Sequence, residues 1–371
     1  MTNALYVATR KGLFKFERGA KAGWEITQSS FVGDNVTLVH CEVGSDTVHI
    51  SLDHGHFGVK MQRSRDAGAT WEELSAPAYP EKPEGVEDLE PFRKEPIPWT
   101  TKLVWSFANG TADQAGRLWC GTIPGGLFRS DDDGDSWQLV RSLWDHEGRK
   151  KWFGGGADWP GIHSILVDPR DGKHVIVGVS CGGVWETRDD GETWTQGAQG
   201  MRADYVPEEH AMDPDSQDPH CIVANAVNPD VMWCQHHNGM FRSTQGCGHW
   251  EEITDVEPSV FGFAVAVHPQ DAETAWFVPA VKDMKRHAVG GKLVVTRTRD
   301  GGKSFEILRK GLPQEHAYDL VYRHALDIDA DGDGLAFGST TGSVWISGDQ
   351  GDSFEHVAGH LPPVYAVRFA K

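Results

Sequence analysis

The chain has 371 residues, 39% of them hydrophobic, with 43 Gly, 15 Trp and 16 Phe, which supplies a large core and excludes a disordered chain. Its 54 acidic against 35 basic side chains leave a formal charge of −19, which excludes nucleic-acid backbones and anionic membrane surfaces as electrostatic partners. No stretch is apolar for the length of a membrane span, and six cysteines without a CxxC pair predict reduced thiols.

Residues 1–10 run directly into alternating strand residues, without the basic and apolar regions of a secretory signal, so a cytoplasmic location is expected. Segments 4–9 and 12–16 read as paired strands joined by a turn at Arg10-Lys11. Further on, Ser64-Arg-Asp66-Ala-Gly68-Ala-Thr-Trp71 introduces a motif that returns along the chain. Ser130, Asp132, Gly134 and Trp137 repeat it, as do Thr187, Asp189, Gly191 and Trp194. Thr298, Asp300, Gly302 and Phe305, then Ser347, Asp349, Gly351 and Phe354, give two more copies. A degenerate copy runs from Ser243 to Trp250, with Gln245 and Cys247 in place of Asp and Gly, and Trp24 closes a first unit that lacks the turn. The aromatic residues at 24, 71, 137, 194, 250, 305 and 354 therefore mark seven units, 47 to 66 residues apart. In each turn the carboxylate accepts backbone N–H groups, Gly supplies a positive φ and the hydroxyl bonds locally.

Within the fourth unit, segments 162–167, 174–179 and 184–187 read as three strands, separated by turns at 168–172 and 180–183. First strands of the other units are expected near 38–43, 103–107, 223–227, 263–267 and 324–328. Segment 364–369 follows the last motif with no room for another unit, and is expected to pair with 4–9. The predicted architecture is all-β: a single domain over 1–371, a seven-bladed β-propeller whose first blade is closed by N- and C-terminal strands.

The pattern S/T-x-D-x-G-x-x-W/F resembles the bacterial neuraminidase repeat, or Asp-box, of sialidase-like β-propellers. That resemblance implies a ligand site at the mouth where the first strands begin, with the motifs on the opposite side. Sialidases also need an Arg in an Arg-Ile/Leu-Pro motif and a Tyr paired with a Glu. Here Ile97-Pro98 follows Pro96, and neither Tyr322 nor Tyr365 has an assignable Glu partner, so true sialidase chemistry is not expected.

Long loops at 75–102, 142–161 and 197–219 fall on the ligand side and carry Trp99, Trp144, Trp152, Asp158, Tyr205 and His210. Histidines gather there too. His163 and His324 share one position at the head of their first strands, His220 precedes another, and two hairpin turns supply His54, His56, His236 and His237. Imidazole is the commonest transition-metal ligand, so His54, His56, His220, His236 and His237, with a carboxylate such as Asp53, Asp158 or Asp218, are candidates to hold a divalent ion such as Zn or Mn. His163, His324 and Asp158 are the candidate acid/base residues, Arg10, Lys11 and Arg323 the anion anchors, and Trp152 and Tyr205 the ligand faces. Lys282, Lys285 and Arg286 add cations, and Cys181 is a nucleophile only if a base such as His163 ionises it. The alternating carboxylates of 327–333 resemble a calcium loop, but Gly338 stands where a bidentate Glu should close it, so a polar turn is expected. The expected function is a hydrolase or lyase acting on a small polar or anionic ligand, carbohydrate included. The alternative is a scaffold whose loops bind a protein partner.

Overall fold

The computed structural model describes residues 3–19 and 23–370. They form a seven-bladed β-propeller of four-stranded antiparallel sheets. The innermost strands of blades 2 to 7 are Asn35–Cys41, Leu103–Asn109, Gly161–Val167, Pro219–Ala224, Gly262–Val267 and Leu326–Ile328. Blade 1 takes its innermost strand from the far end of the sequence: Val364–Phe369 pairs with Ala4–Thr9, aligning Leu5 with Phe369 and Val7 with Val367. The circle thus closes by backbone hydrogen bonds between the first and last strands described.

Blade 5 begins four residues earlier than its hydrophobic run predicts. Its strand stops at Ala224 because the Asn225 side chain accepts the N–H groups of Val227 and Asn228 and turns the chain. The polar residues His220 and Cys221 consequently lie within the strand.

The five well-formed repeat turns are geometrically alike. Their glycines sit at φ of +88° to +92°, where a side chain would be strained. The Ser or Thr hydroxyl accepts the glycine N–H at 2.8–2.9 Å, and the Asp carboxylate accepts the N–H four residues on at 2.8–2.9 Å. An arginine completes the device. Arg63, Arg129, Arg242 and Arg297 each precede the motif hydroxyl of their own blade and donate to the carbonyl just before the motif glycine of the next, namely Asp133, Asp190, Gly301 and Gln350. Blade 4 carries Glu186 at this position, and the turn it would face in blade 5 is the degenerate one. The motif is therefore a clamp between neighbouring blades as well as a hairpin turn.

Arg297 is almost wholly buried and also meets Glu306 (2.7 Å) and Asp352 (2.8 Å). Glu306 and Asp352 are more than half exposed and regain water when the guanidinium is lost, so Arg297→Met should lower stability by about 1–2 kcal/mol in denaturant unfolding.

Glu186 instead accepts from His174 Nε2 (2.7 Å), whose Nδ1 meets Asp168 at 2.9 Å. Glu186 first, and Asp168 after it, raise the His174 pKa against the opposing effect of burial. A raised pKa means the native state binds the proton more tightly, so this stabilisation is complete below the ordinary imidazole value and fades as pH climbs through the native one. The stability gap between wild type and His174→Gln should therefore be wider at about pH 5.5 than at about pH 8.5, on either side of the unperturbed value near 6.5.

Candidate active site at the bulged mouth

At the head of the innermost strands the pairing slips. The shifts fall between Val36 and Leu38, Val104 and Ser106, Ile162 and Ser164, Pro219 and Cys221, and Gly262 and Val265. In blade 1 the slip lies opposite Ala8 and Thr9. The extra residues are Thr37, Trp105, His163, His220, Phe263 with Ala264, and Tyr365. A bulge leaves its extra residue out of the ladder and re-aims the side chain. Blade 7 starts its inner strand later, and Arg323-His324 occupy the equivalent place, with His324 bridged to Ala366. These residues ring the mouth and the channel beneath it.

Two of them span the ring. Arg323 Nε donates to the His220 carbonyl of blade 5 at 2.7 Å, and His324 Nε2 donates to the His163 carbonyl of blade 4 at 2.8 Å. They form a partition, and Arg323 lines both the mouth cavity above and the channel below.

The mouth cavity measures about 390 Å³, room for a monosaccharide-sized ligand. On its blade 5 side lie Asp218, His220 and His237, whose ligand-type atoms fall within 4.8 Å of one another. Asp218 immediately precedes the inner strand, and His237 stands on the hairpin opposite, tied by its N–H to the Asp218 carbonyl at 2.9 Å. The Asp218 carboxylate is asymmetric. Oδ1 accepts from Cys181 N (3.1 Å) and Ser180 Oγ (3.2 Å), whereas Oδ2 faces His237 Nδ1 (3.3 Å) and His220 Nε2 (3.6 Å). Burial works to raise the Asp218 pKa, but the two imidazoles outweigh it and hold the carboxyl well below its usual range. His220 donates from Nδ1 to the Gly262 carbonyl at 2.7 Å and stacks on Phe263 at 4.4 Å. Tyr205 packs edge-on against His237 at 5.1 Å.

Facing this group is an arginine corner. Arg323 lies 4.3 Å over Trp105 and 5.8 Å over Phe263, and Arg286 lies 5.3 Å over Phe263. Arg286 is bound to Asp283, but Arg323 has no carboxylate partner among the described residues. Burial lowers the Arg323 pKa to about 10, so it remains a cation at neutral pH. A cation so placed, with aromatic walls, is a receptor for an anionic group.

Of the residues singled out in the sequence, Cys181, Tyr205, Asp218, His220, His237, Arg286 and Arg323 meet at this cavity. The others lie elsewhere. His163 and His324 line the channel below, and burial holds both imidazole pKa values down, His324 to about 3. The interblade bond joins the His324 ring to the His163 backbone carbonyl, and the His163 imidazole itself faces the channel. His236 points into its own blade, with both ring nitrogens against the backbone N–H groups of Asp218 and Asn238, and cannot reach an ion shared with His237. His54 and His56 stay on blade 2, His54 facing Asp34 at 3.6 Å and His56 exposed against Phe57. Asp158 is 73% exposed and meets Arg93, outside the cavity. Arg10 and Lys11 are exposed on the blade 1 turn and do not line the cavity. Trp152 is wholly buried against Trp185, beneath Gly182, so it offers no face to a ligand. Cys181 reaches the cavity, but burial, and after it the Asp218 charge, push its thiol well above the usual range and keep it neutral. In segment 327–333, Asp329 accepts the N–H groups of Gly332 and Gly334 and Asp327 accepts that of Phe369, so these two carboxylates are engaged by backbone.

Trp105, Phe263 and Ser180 were not marked by the sequence. Trp105 and Phe263 hold the same place at the strand heads as His163 and His324, and that equivalence was the available signal.

No family model matches the chain. A stretch of 79 residues is 36% identical to an oligoxyloglucan-reducing end-specific xyloglucanase of Emericella nidulans, spanning 21% of this chain and 9% of that protein. Among solved structures, the periplasmic gluconolactonase of Pseudomonas aeruginosa matches over 100% of this chain and 99% of its own, with a TM-score of 0.63 at 11% identity. An ancestral GH74 enzyme matches over 84% of this chain and 36% of its own, with a TM-score of 0.58 at 15% identity. YCF48 bound to a D1 peptide matches over 95% and 88%, with a TM-score of 0.51 at 14% identity. At such identities the likeness shows the fold: the chain is a seven-bladed β-propeller similar to these proteins.

Proposed function

We propose that the protein is a hydrolase acting on a small anionic, carbohydrate-like ligand at the blade 5 side of the mouth. The observation that carries this reading is the single cavity shared by a cation without a carboxylate partner, Arg323, and a buried carboxylate flanked by two imidazoles. Arg323 anchors the anionic group, with Arg286 beside it, while Trp105, Phe263 and Tyr205 pack the sugar-like body. Asp218, His220 and His237 activate a water molecule. The water oxygen bonds to the electrophilic carbon of a lactone, ester or glycosidic centre, its proton passes to the activating group, and the leaving oxygen takes a proton in turn. The gluconolactonase and GH74 likenesses support this class of substrate as analogy of fold. We read the five turns as neuraminidase-type repeats. A cytoplasmic location is part of the same proposal and rests on six buried cysteines spread along the chain without a CxxC pair.

A second reading is favoured by exposed Phe92, which packs on the cavity-lining Phe153, and by exposed Met284, which follows the cavity-lining Asp283 in the chain. Here the propeller is a scaffold, and the arginine corner grips the carboxyl end of a protein partner, as the peptide-bound YCF48 likeness allows.

The test is turnover of a panel of aldonolactones and uronate oligosaccharides. Arg323→Met should raise KM about tenfold or more with little change in kcat, because it removes binding common to ground and transition states. His237→Gln should lower kcat by about 10²–10⁴. His324→Gln, which keeps a donor to the partition, should leave both near wild type. No turnover across the panel, together with capture of a protein partner that survives His237→Gln, would replace this reading by the second.

A further inference from the structure

We propose that Asp218 Oδ2, His220 Nε2 and His237 Nδ1 hold one divalent transition-metal ion of the zinc or manganese class, with an open coordination position turned into the mouth cavity. The inference deepens the hydrolase reading by naming what activates the water.

The argument begins with a proton. The Gly262 carbonyl is only an acceptor, so the 2.7 Å contact fixes hydrogen on His220 Nδ1. In the neutral ring Nε2 is then a bare lone pair, and it faces Asp218 Oδ2 at 3.6 Å. That separation is too long for a hydrogen bond, so a second ring proton would not bridge it well. Two electron-rich atoms facing each other inside the protein are stabilised by a positive centre between them, which a metal ion supplies.

Spacing gives the second line of argument. Ligands about 2.0–2.1 Å from a tetrahedral zinc ion stand roughly 3.3–3.4 Å apart. His237 Nδ1 and His220 Nε2 lie 3.3 and 3.6 Å from Asp218 Oδ2 and all three atoms fall within 4.8 Å, so the two imidazoles close on the ion by side-chain rotation.

The surroundings are those of a built site. Metal-binding imidazoles characteristically donate their other N–H to a carbonyl or carboxylate, as His220 does to Gly262. Asp218 spends Oδ1 on Ser180 and Cys181 and leaves Oδ2 to face the imidazoles. The N–H of His237 is tied to the Asp218 carbonyl, which fixes two ligands to each other. The side left open faces Tyr205, Trp105 and Arg323, as a catalytic metal requires and a closed structural one does not. An ion so held supplies Lewis acidity and acidifies a bound water.

The experiment uses the full chain purified without a polyhistidine tag, stripped with chelator and reloaded with Zn²⁺, Mn²⁺ or Co²⁺. Elemental analysis after desalting should find about one equivalent per chain for at least one ion, and Co²⁺ should give visible absorption of nitrogen and oxygen ligation. His220→Ala and Asp218→Asn should fall below about a tenth of an equivalent. His237→Gln alters the least buried of the three ligands, and should weaken the affinity about a hundredfold or more while melting near wild type. His236→Gln and His54→Ala should bind as wild type does. Less than about a tenth of an equivalent of every ion in wild type, or unaltered binding by His237→Gln, overturns the site. Stoichiometric metal without turnover of the panel upholds the site and sinks the hydrolase reading. Undiminished turnover by stripped protein in chelator does the reverse.

Discussion

A strand inside a sheet sends alternate side chains to its two faces, so regular inner strands would aim their side chains into the seams between blades. The single extra residue at the head of the inner strands breaks that rule. It releases Trp105, His163, His220, Phe263 and Tyr365 from the alternation at the level where the ring opens. The chemistry of the mouth is thus written in a backbone irregularity repeated around a circle. Blade 7 lacks the bulge and contributes two long polar side chains, which reach across to blades 4 and 5.

The rigidity behind this arrangement comes from the opposite face. Each arginine clamp joins one blade to the turn of the next, donating to the carbonyl that the left-handed pair of turn residues presents. Charge follows the same division of labour. The chain is acidic as a whole, yet the mouth sets Arg323 and Arg286 against one buried carboxylate held between two imidazoles. With Asp283 paired to Arg286, the mouth is close to neutral within an acidic protein, which favours a small anion that can enter the cavity over an extended polyanion that must approach the whole surface.

The blade count, the closure and the turn chemistry were legible because the Asp, Gly and hydroxyl of each motif have fixed local duties that no packing context changes. His220, His237 and Arg323 were legible from their positions at strand heads and on an upper hairpin. What failed were inferences that needed distance around the ring or depth below the surface. His54 and His56 stand on the right face but on blade 2, away from the blade 5 group. Trp152 lies in a long upper loop, yet Gly182 has no side chain, and the indole packs into that space. Trp105 and Phe263 look like ordinary strand hydrophobics, since a bulge leaves no mark in a period of two. The arginine clamps were equally hidden, because their acceptors are carbonyls some 50 to 70 residues away.

The inner strand of blade 1, Val364–Phe369, is synthesised after every other strand described. Until it is made, Ala4–Thr9 lacks its neighbour, and Tyr365 and Ala366 are missing from beside Arg323-His324. The ring, and with it the wall that Tyr365 and Ala366 place beside Arg323-His324, is therefore completed only when this strand pairs with the first one described.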